Sequence, residues 1–324
     1  MRILIAGYSN IVQKRVLPAL CKILDITHID IASRSRADTI VMGDTPVARI
    51  YNDYDRAFSE SKADIVYVST VNSAHLPLVQ KALHKGMHVI VDKPAFISLE
   101  DAKRWTDFAR TARLCLAEST VYAYHEQIHS IRSAFRSAQS LPSRVIATFS
   151  FPPMAEDNFR YCRELGGGAL LDLGPYAVSV GRIFFDNEEP KEIWARVCAR
   201  GGADDIDISF IVLAVYSQGR SMIGQFGFDT EYRNHVNIIG PGISVCVQRI
   251  FSTPPDMENE IHIQQNNKGR VIAVPASDNF LIFLTRLIDA IKAGDYEAFS
   301  RDLLADASAL HRLRASALED GVCR

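Results

Sequence analysis

The sequence predicts two domains, an α/β doubly wound domain followed by an α+β domain built on a large, mostly antiparallel open sheet. Three observations predict this. The chain has 324 residues, more than one hydrophobic core usually accommodates. Its first third alternates short β-branched runs with helical spacing, the pattern of βαβ units and a parallel sheet. Beyond residue 120 the runs lengthen and mostly follow one another without helices between them, as in antiparallel sheets. The expected domains are 1–120 and 121–324, with the C-terminal helices packing back on the first.

In the first domain, strands are expected at Arg2 to Ala6, Ile29 to Ala32, Ile65 to Ser69, Val89 to Val91 and Leu114 to Ala117. Between the first two, Val12, Val16, Leu17, Leu20 and Leu24 recur at helical spacing, as do the apolar residues of Leu76 to His84 and Leu99 to Thr111. The second domain offers strands at Arg144 to Phe151, Glu192 to Ala199, Ile206 to Tyr216, Met222 to Phe228, His235 to Ile239 and Arg270 to Val274. One long helix, Ala169 to Phe185, interrupts them, and two more, Phe280 to Ala293 and Asp302 to Leu318, close the chain. Trp105 and Trp194 read as core aromatics. The open face of the antiparallel sheet offers a contact for a homodimer or homotetramer.

The composition, 48% hydrophobic and 23% charged with a formal net charge of −2, is that of a soluble globular protein. It gives no electrostatic reason to bind nucleic acid or an anionic membrane. No stretch approaches the ~18 apolar residues of a membrane span. The six cysteines, Cys21, Cys115, Cys162, Cys198, Cys246 and Cys323, form no C-x-x-C pair, so a reducing, cytoplasmic setting is expected.

Gly7-Tyr8-Ser9-Asn10-Ile11-Val12 follows the first strand and is a degraded G-x-G-x-x-G, the phosphate turn of a dinucleotide-binding Rossmann domain. Gly7 can make the tight turn, and Ser9 is small enough for backbone N–H groups to approach a pyrophosphate, while Val12 departs from the pattern. At the end of the second strand an NAD site wants an acidic residue for the ribose. Here the chain reads Ala32-Ser33-Arg34-Ser35-Arg36. Arg34 or Arg36 can grip a 2′-phosphate, with Ser33 adding a hydroxyl, so NADP(H) is favoured and NAD(H) is the alternative.

Two further stretches carry chemistry. Met87 to Pro94 runs a β-branched strand into an acid, a lysine and a proline, which stands Lys93 at the carboxyl end of a buried strand. Open α/β sheets hold ligands at that edge, and an amine there can hydrogen-bond or protonate a substrate oxygen. The run from Gly166 to Tyr176 places three glycines before a helix, so that its N-terminus can approach a ligand closely. Asp172 and Tyr176, four residues apart, would share one helix face, and Pro175 predicts a kink near Tyr176. The plain alternative is a buried helix in which Asp172 satisfies backbone amides.

Taken in order, these stretches make the chain similar to the glucose-fructose oxidoreductase, inositol dehydrogenase and rhizopine-catabolism (Gfo/Idh/MocA) family. The resemblance is carried by the Gly7 loop, Asn72 and His75, Asp92-Lys93-Pro94 where the family usually has Glu-Lys-Pro, and the Gly166 to Tyr176 run. Within the family the chain resembles sugar-nucleotide 3-ketoreductases, through Phe151-Pro152-Pro153, Phe159-Arg160-Tyr161 and the stretch from Arg249 to Pro255.

The resemblance implies NADPH-dependent reduction of a 3-keto group on a nucleotide-linked hexose. Tyr176 would be the proton donor, Lys93 would hold and polarise the oxygen, and Asp172 would orient the lysine or a sugar hydroxyl. It also implies a cis Lys93–Pro94 bond. The implied cofactor-binding set is Gly7, Tyr8, Ser9, Asn10, Ile11, Ser33, Arg34, Arg36, Ser69, Thr70, Asn72, His75, Asp92 and Lys93, and the substrate set is Arg160, Tyr161, Asp172 and Tyr176. Two other readings compete. One runs the reaction as oxidation, as in a UDP-N-acetylglucosamine 3-dehydrogenase. The other, motivated by the eroded glycine loop, is a non-catalytic nucleotide or sugar sensor.

No metal site is expected. His125-Glu126-Gln127-Ile128-His129 matches H-E-x-x-H formally but lacks a third ligand pattern, and it reads instead as exposed helix polarity or contacts in the substrate cleft.

Overall fold

Six short strands form the first sheet: β1 (Arg2–Ala6), β2 (His28–Ala32), β3 (Val47–Tyr51), β4 (Ile65–Val68), β5 (His88–Val91) and β6 (Leu116–Glu118). The computed structural model in which they are seen describes residues 1–40 and 46–319; Cys323 lies outside them. The strands pair in parallel in the order β3-β2-β1-β4-β5-β6. This is the doubly wound order, in which ligands bind beyond the carboxyl ends of the strands where the order reverses. Ile3, Leu4 and Ile5 of β1 and all four residues of β4 are buried, as befits parallel strands covered on both faces.

The connections are a π-helical turn at Val12–Val16 running into α1 (Leu17–Leu20), then α2 (Tyr54–Glu60), α3 (His75–His84) and α4 (Leu99–Ala112). β3 and α2 occupy a stretch the apolar pattern left unassigned. β3 is an edge strand with Ala48 and Arg49 exposed, so it lacks the clean apolar run of its neighbours.

The second sheet follows α5 (Glu126–Ser137) and opens with β7 (Arg144–Ser150). Two helices, α6 (Ala169–Asp172) and α7 (Gly174–Phe184), separate β7 from β8 (Glu192–Gly201) and β9 (Ile206–Val215). The sheet is completed by β10 (Ser221–Gly227), β11 (Arg233–Gly240), β12 (Ile243–Gln248), β13 (Asn259–Gln265) and β14 (Lys268–Val274). The chain ends in α8 (Asn279–Ala293) and α9 (Glu297–Glu319). The strand order is β14-β13-β12-β11-β7-β10-β9-β8; β7 and β10 pair in parallel, and every other neighbouring pair is antiparallel.

Alternation along these strands divides the sheet into two faces. Val145, Ala147 and Phe149 of β7 point inward with Phe210, Val212, Phe226, Val236 and Val245, and they pack beneath α5, α6, α7 and the Leu310–Leu313 turn of α9. Outward, one register row crosses all eight strands: Trp194, Leu213, Ile223, Ile146, Asn237, Cys246, His262 and Val271. Trp194 is therefore not the core aromatic its size suggests. It is 46% exposed, because its position on β8 has the parity of the outer row; Trp105 is buried on α4.

The expected single helix from Ala169 to Phe185 is two helices. The break falls at Leu173 (φ −106, ψ −20), three residues ahead of the predicted kink. Pro175 lies in the first turn of α7, where its missing N–H has no intrahelical partner to lose. The helix stops one turn before the proline, so Asp172 and Tyr176 do not share one continuous helical face.

By its contacts the described chain divides into two units. The first is Met1–Ser119 with Phe280–Leu304, and the second is Thr120–Asn279 with the segment that begins at Ala305. Among the described residues no helix is long and apolar enough to cross a membrane.

Candidate active site

In the first unit the sequence-identified residues converge on the carboxyl ends of β1, β2, β4 and β5. Gly7 (φ +108) has no room for a side chain: a Cβ there would lie 2.0 Å from the Ser69 carbonyl oxygen. Its N–H donates to Ala32 O at 2.8 Å, so β1 leaves the sheet between β2 and β4. The Ser9 hydroxyl accepts the Val12 N–H at 3.1 Å and lies 2.8 Å from Ser69 Oγ, which makes it the cap of the helix that follows. Tyr8 and Asn10 complete the turn with Ile11, which is 38% exposed.

At the end of β2, buried Ser33 accepts the Arg36 N–H at 3.2 Å, and Arg36 Nη1 donates to Asn10 Oδ1 at 2.9 Å. The Arg34 guanidinium lies 5.2 Å over the ring of Tyr54, whose hydroxyl burial pushes up while Arg34 draws it back. Among the described residues neither arginine forms an ion pair with a carboxylate. Two cations beside a hydroxyl at this strand end fit a ribose 2′-phosphate. Tyr54 was not foreseen, since nothing near it in sequence hints that α2 begins under Arg34.

The Asp92-Lys93-Pro94 turn is held from three sides. Asp92 Oδ1 accepts from the Tyr67 hydroxyl at 2.7 Å and the Ser119 hydroxyl at 3.1 Å, and Oδ2 accepts from Ser69. Burial and the Asp92 charge hold the Tyr67 phenol well above its ordinary range, so it stays a donor. The Lys93–Pro94 peptide is cis. The ring of His75, at the start of α3 and 1% exposed, is placed between two carbonyls, with Nδ1 2.9 Å from Pro94 O and Nε2 3.2 Å from Thr70 O. Glu118, at the end of β6, accepts the Ala95 N–H at 2.7 Å. Asn72 is buried in the turn before α3. Glu118 and Ser119 were not among the expected site residues although they obey the rule that found Lys93, since Glu118 ends β6 at the carboxyl edge and Ser119 follows it.

In the second unit the triple glycine is read differently by the fold. Gly168 (φ +106) starts α6, and a Cβ there would lie 2.6 Å from Asp207 Oδ1. Asp207, on β9, accepts the Leu170 N–H at 2.5 Å; burial raises its carboxyl above the usual range, against the pull of that N–H. The expectation that the helix N-terminus faces a ligand is thus corrected, since the chain's own carboxylate occupies it. Gly167 is needed because a Cβ would meet Arg160 O at 2.5 Å, where Gly168 N–H donates back to the same carbonyl.

That packing sets Arg160 beside α6. Arg160 Nε donates to Asp172 Oδ2 at 2.7 Å, and its guanidinium lies 4.8 Å over the Phe159 ring. Burial works against the Arg160 charge, but Asp172 outweighs it and holds the guanidinium above its ordinary value. Tyr161 accepts the Met154 N–H at 3.1 Å and packs edge-on to Phe228. The Tyr176 ring sits among Tyr122, Phe149 and Phe251 at centroid distances of 5.8, 5.1 and 5.3 Å. His125 is the buried cap of α5, whereas His129 is exposed on its surface.

The doubly wound sheet followed by a large, mostly antiparallel sheet agrees with the comparisons. Residues 1–119 match the oxidoreductase family with an NAD-binding Rossmann fold, and residues 141–245 match the Gfo/Idh/MocA C-terminal domain. The chain belongs to the Gfo/Idh/MocA oxidoreductase family. One relative, the dTDP-3,4-didehydro-2,6-dideoxy-alpha-D-glucose 3-reductase of Saccharopolyspora spinosa, is 27% identical over 91% of this chain and 88% of its own. The D-xylose 1-dehydrogenase (NADP(+)) 2 of Haloferax volcanii is also 27% identical, over 92% and 91%. Among solved structures, the 3-ketoreductase KijD10 of Actinomadura kijaniata, in complex with NADP and TDP-benzene, superposes with a TM-score of 0.90 at 25% identity, covering 98% of each chain. As a Gfo/Idh/MocA member the chain is an oxidoreductase, and its loop at Gly7 keeps the strand–turn–helix of a dinucleotide site with only one of three glycines.

Proposed function

We propose that this oxidoreductase uses NADPH to reduce the 3-keto group of a nucleotide-linked hexose. The observation that carries the reading is the clamping of Lys93: Asp92 is bound by three hydroxyls, Pro94 O by His75 and Ala95 N–H by Glu118. A flexible lysine thereby gains a fixed base at the ligand edge. Similarity to named 3-reductases supplies the substrate class.

Ser33, Arg34 and Arg36 hold the 2′-phosphate of the coenzyme, and the N–H groups of the Gly7–Ile11 turn hold its pyrophosphate. When bound, NADPH supplies the hydride. The Lys93 ammonium stabilises the negative charge that grows on the ketone oxygen, and the Tyr176 hydroxyl gives that oxygen its proton and regains one from water. Asp172, held by Arg160, accepts from a sugar hydroxyl. The second unit also carries self-association through its outer sheet face, as a homodimer or homotetramer.

The test is NADPH oxidation with 3-ketosugar nucleotides, run beside NADH. Tyr176→Phe and Lys93→Met should each lower kcat by roughly 10²–10⁴-fold, the usual worth of general acid–base catalysis, while Tyr176→Phe retains NADPH binding by fluorescence. Full turnover in either variant overturns the assignment. The xylose dehydrogenase relative favours oxidation as a second reading. The same side chains serve it in reverse, and sugar-nucleotide-dependent NADP⁺ reduction without ketosugar reduction would select it.

A further inference from the structure

Arg249, directly after β12, is a half-buried residue in the left-handed region, φ +52. A bulky side chain there is strained and persists only where its surroundings impose it. The surroundings are visible. Asn234 of β11, 2% exposed, accepts the Arg249 N–H on its carbonyl and the Phe251 N–H on Oδ1 at 3.0 Å. Buried Gln127 donates to Ile250 O at 3.0 Å and to Thr253 Oγ1 at 3.2 Å. Ile250 and Phe251 are thereby drawn into the core, and Arg249 is turned outward.

The guanidinium so displayed lies 5.0 Å over the ring of Tyr232. Asn234 Nδ2 holds that ring's hydroxyl at 3.1 Å and Ser252 Oγ at 2.9 Å. Among the described residues no carboxylate forms an ion pair with Arg249. A guanidinium stacked on an aromatic face keeps its N–H edges available for a bidentate anion. The place also matters: the neighbouring Phe251 packs on the Tyr176 ring, and Phe149, which touches both, lies 6.5 Å from Tyr232. Arg249 is thus one aromatic layer from the tyrosine assigned to the ketone oxygen.

We infer that Arg249 on its Tyr232 shelf is the anion subsite for the diphosphate of the sugar nucleotide. The inference rests on the sugar-nucleotide reading above and sharpens it, because it predicts that the nucleotide end of the substrate, not the sugar alone, is recognised here. Backbone strain is tolerated at Arg249 because it aims the charge.

The experiment is titration of dTDP into the NADP-loaded protein by calorimetry. The parent should bind dTDP, and Arg249→Met should bind it at least 10-fold more weakly, with NADPH affinity unchanged. Arg249→Lys should recover part of the loss, and Tyr232→Phe, which keeps the ring face, should stay near the parent. Arg249→Gly relieves the left-handed backbone, so it should unfold no earlier than the parent and still lose dTDP. Parental dTDP affinity in Arg249→Met or Arg249→Gly overturns the subsite while leaving the reductase reading intact. A parent that binds no nucleoside diphosphate overturns both.

Discussion

Lys93 sits in a peptide that its neighbours pin, and the least obvious pin is His75. A neutral imidazole donates one hydrogen, so it serves the Pro94 and Thr70 carbonyls one at a time. Burial pushes the ring below its ordinary 6.5, with the Asp92 charge pulling the other way. The unfolded chain therefore binds a proton at His75 where the folded chain does not. Stability from this group is full above pH 6.5 and declines as pH falls from 6.5 toward the lower folded value. The thermal midpoint should drop with acidification in that window, and the slope should be shallower in His75→Gln; identical slopes would remove His75 from the account. Lys93 was legible from a strand that ends in a charge. Its clamps were not, because Tyr67, Ser69, His75 and Glu118 stand 18 to 26 residues away and gather only when β4 and β6 pair on either side of β5.

Among the elements, α6 shows how one motif can be read two ways. Three glycines before a helix permit the approach of a ligand or of the protein itself, and composition does not distinguish them. Asp207 takes the position from β9, 37 residues downstream of the N–H it caps. Gly168→Ala meets both a positive φ and the Asp207 carboxylate, so it should cost about 1–3 kcal/mol in urea unfolding. Asp207→Ala should cost about 1 kcal/mol as a lost cap. A Gly168→Ala protein as stable as its parent would show that the carboxylate moves aside freely. β13, for which no strand was expected, buries only Ile261 and Ile263 among polar residues, with Asn259 turned inward to Gln127, so its alternation is too sparse to distinguish from a loop. β1, β4 and β5, buried on both faces, were plain.

At the scale of the molecule, the outer row of the large sheet is the feature that asks for a covering. Trp194, Leu213, Ile223 and Ile146 lie side by side on four neighbouring strands, each at least 36% exposed. Exposed apolar patches of this kind mark contacts. Ile223→Lys should lower the mass measured by light scattering and leave the thermal midpoint nearly unchanged, since an exposed substitution shifts stability by only about 0.5 kcal/mol. An unchanged mass would exclude this face from self-association. The course of the chain carries a practical lesson for anyone recombining such enzymes. Phe280–Leu304 clusters with Met1–Ser119, so a chimaera that grafts a new second unit onto this first unit at residue 119 leaves behind α8, whose Phe283, Leu284, Leu287 and Ile288 are fully buried. A viable crossover needs three splice points, after Ser119, after Asn279 and after Leu304, the last falling inside a continuous helix.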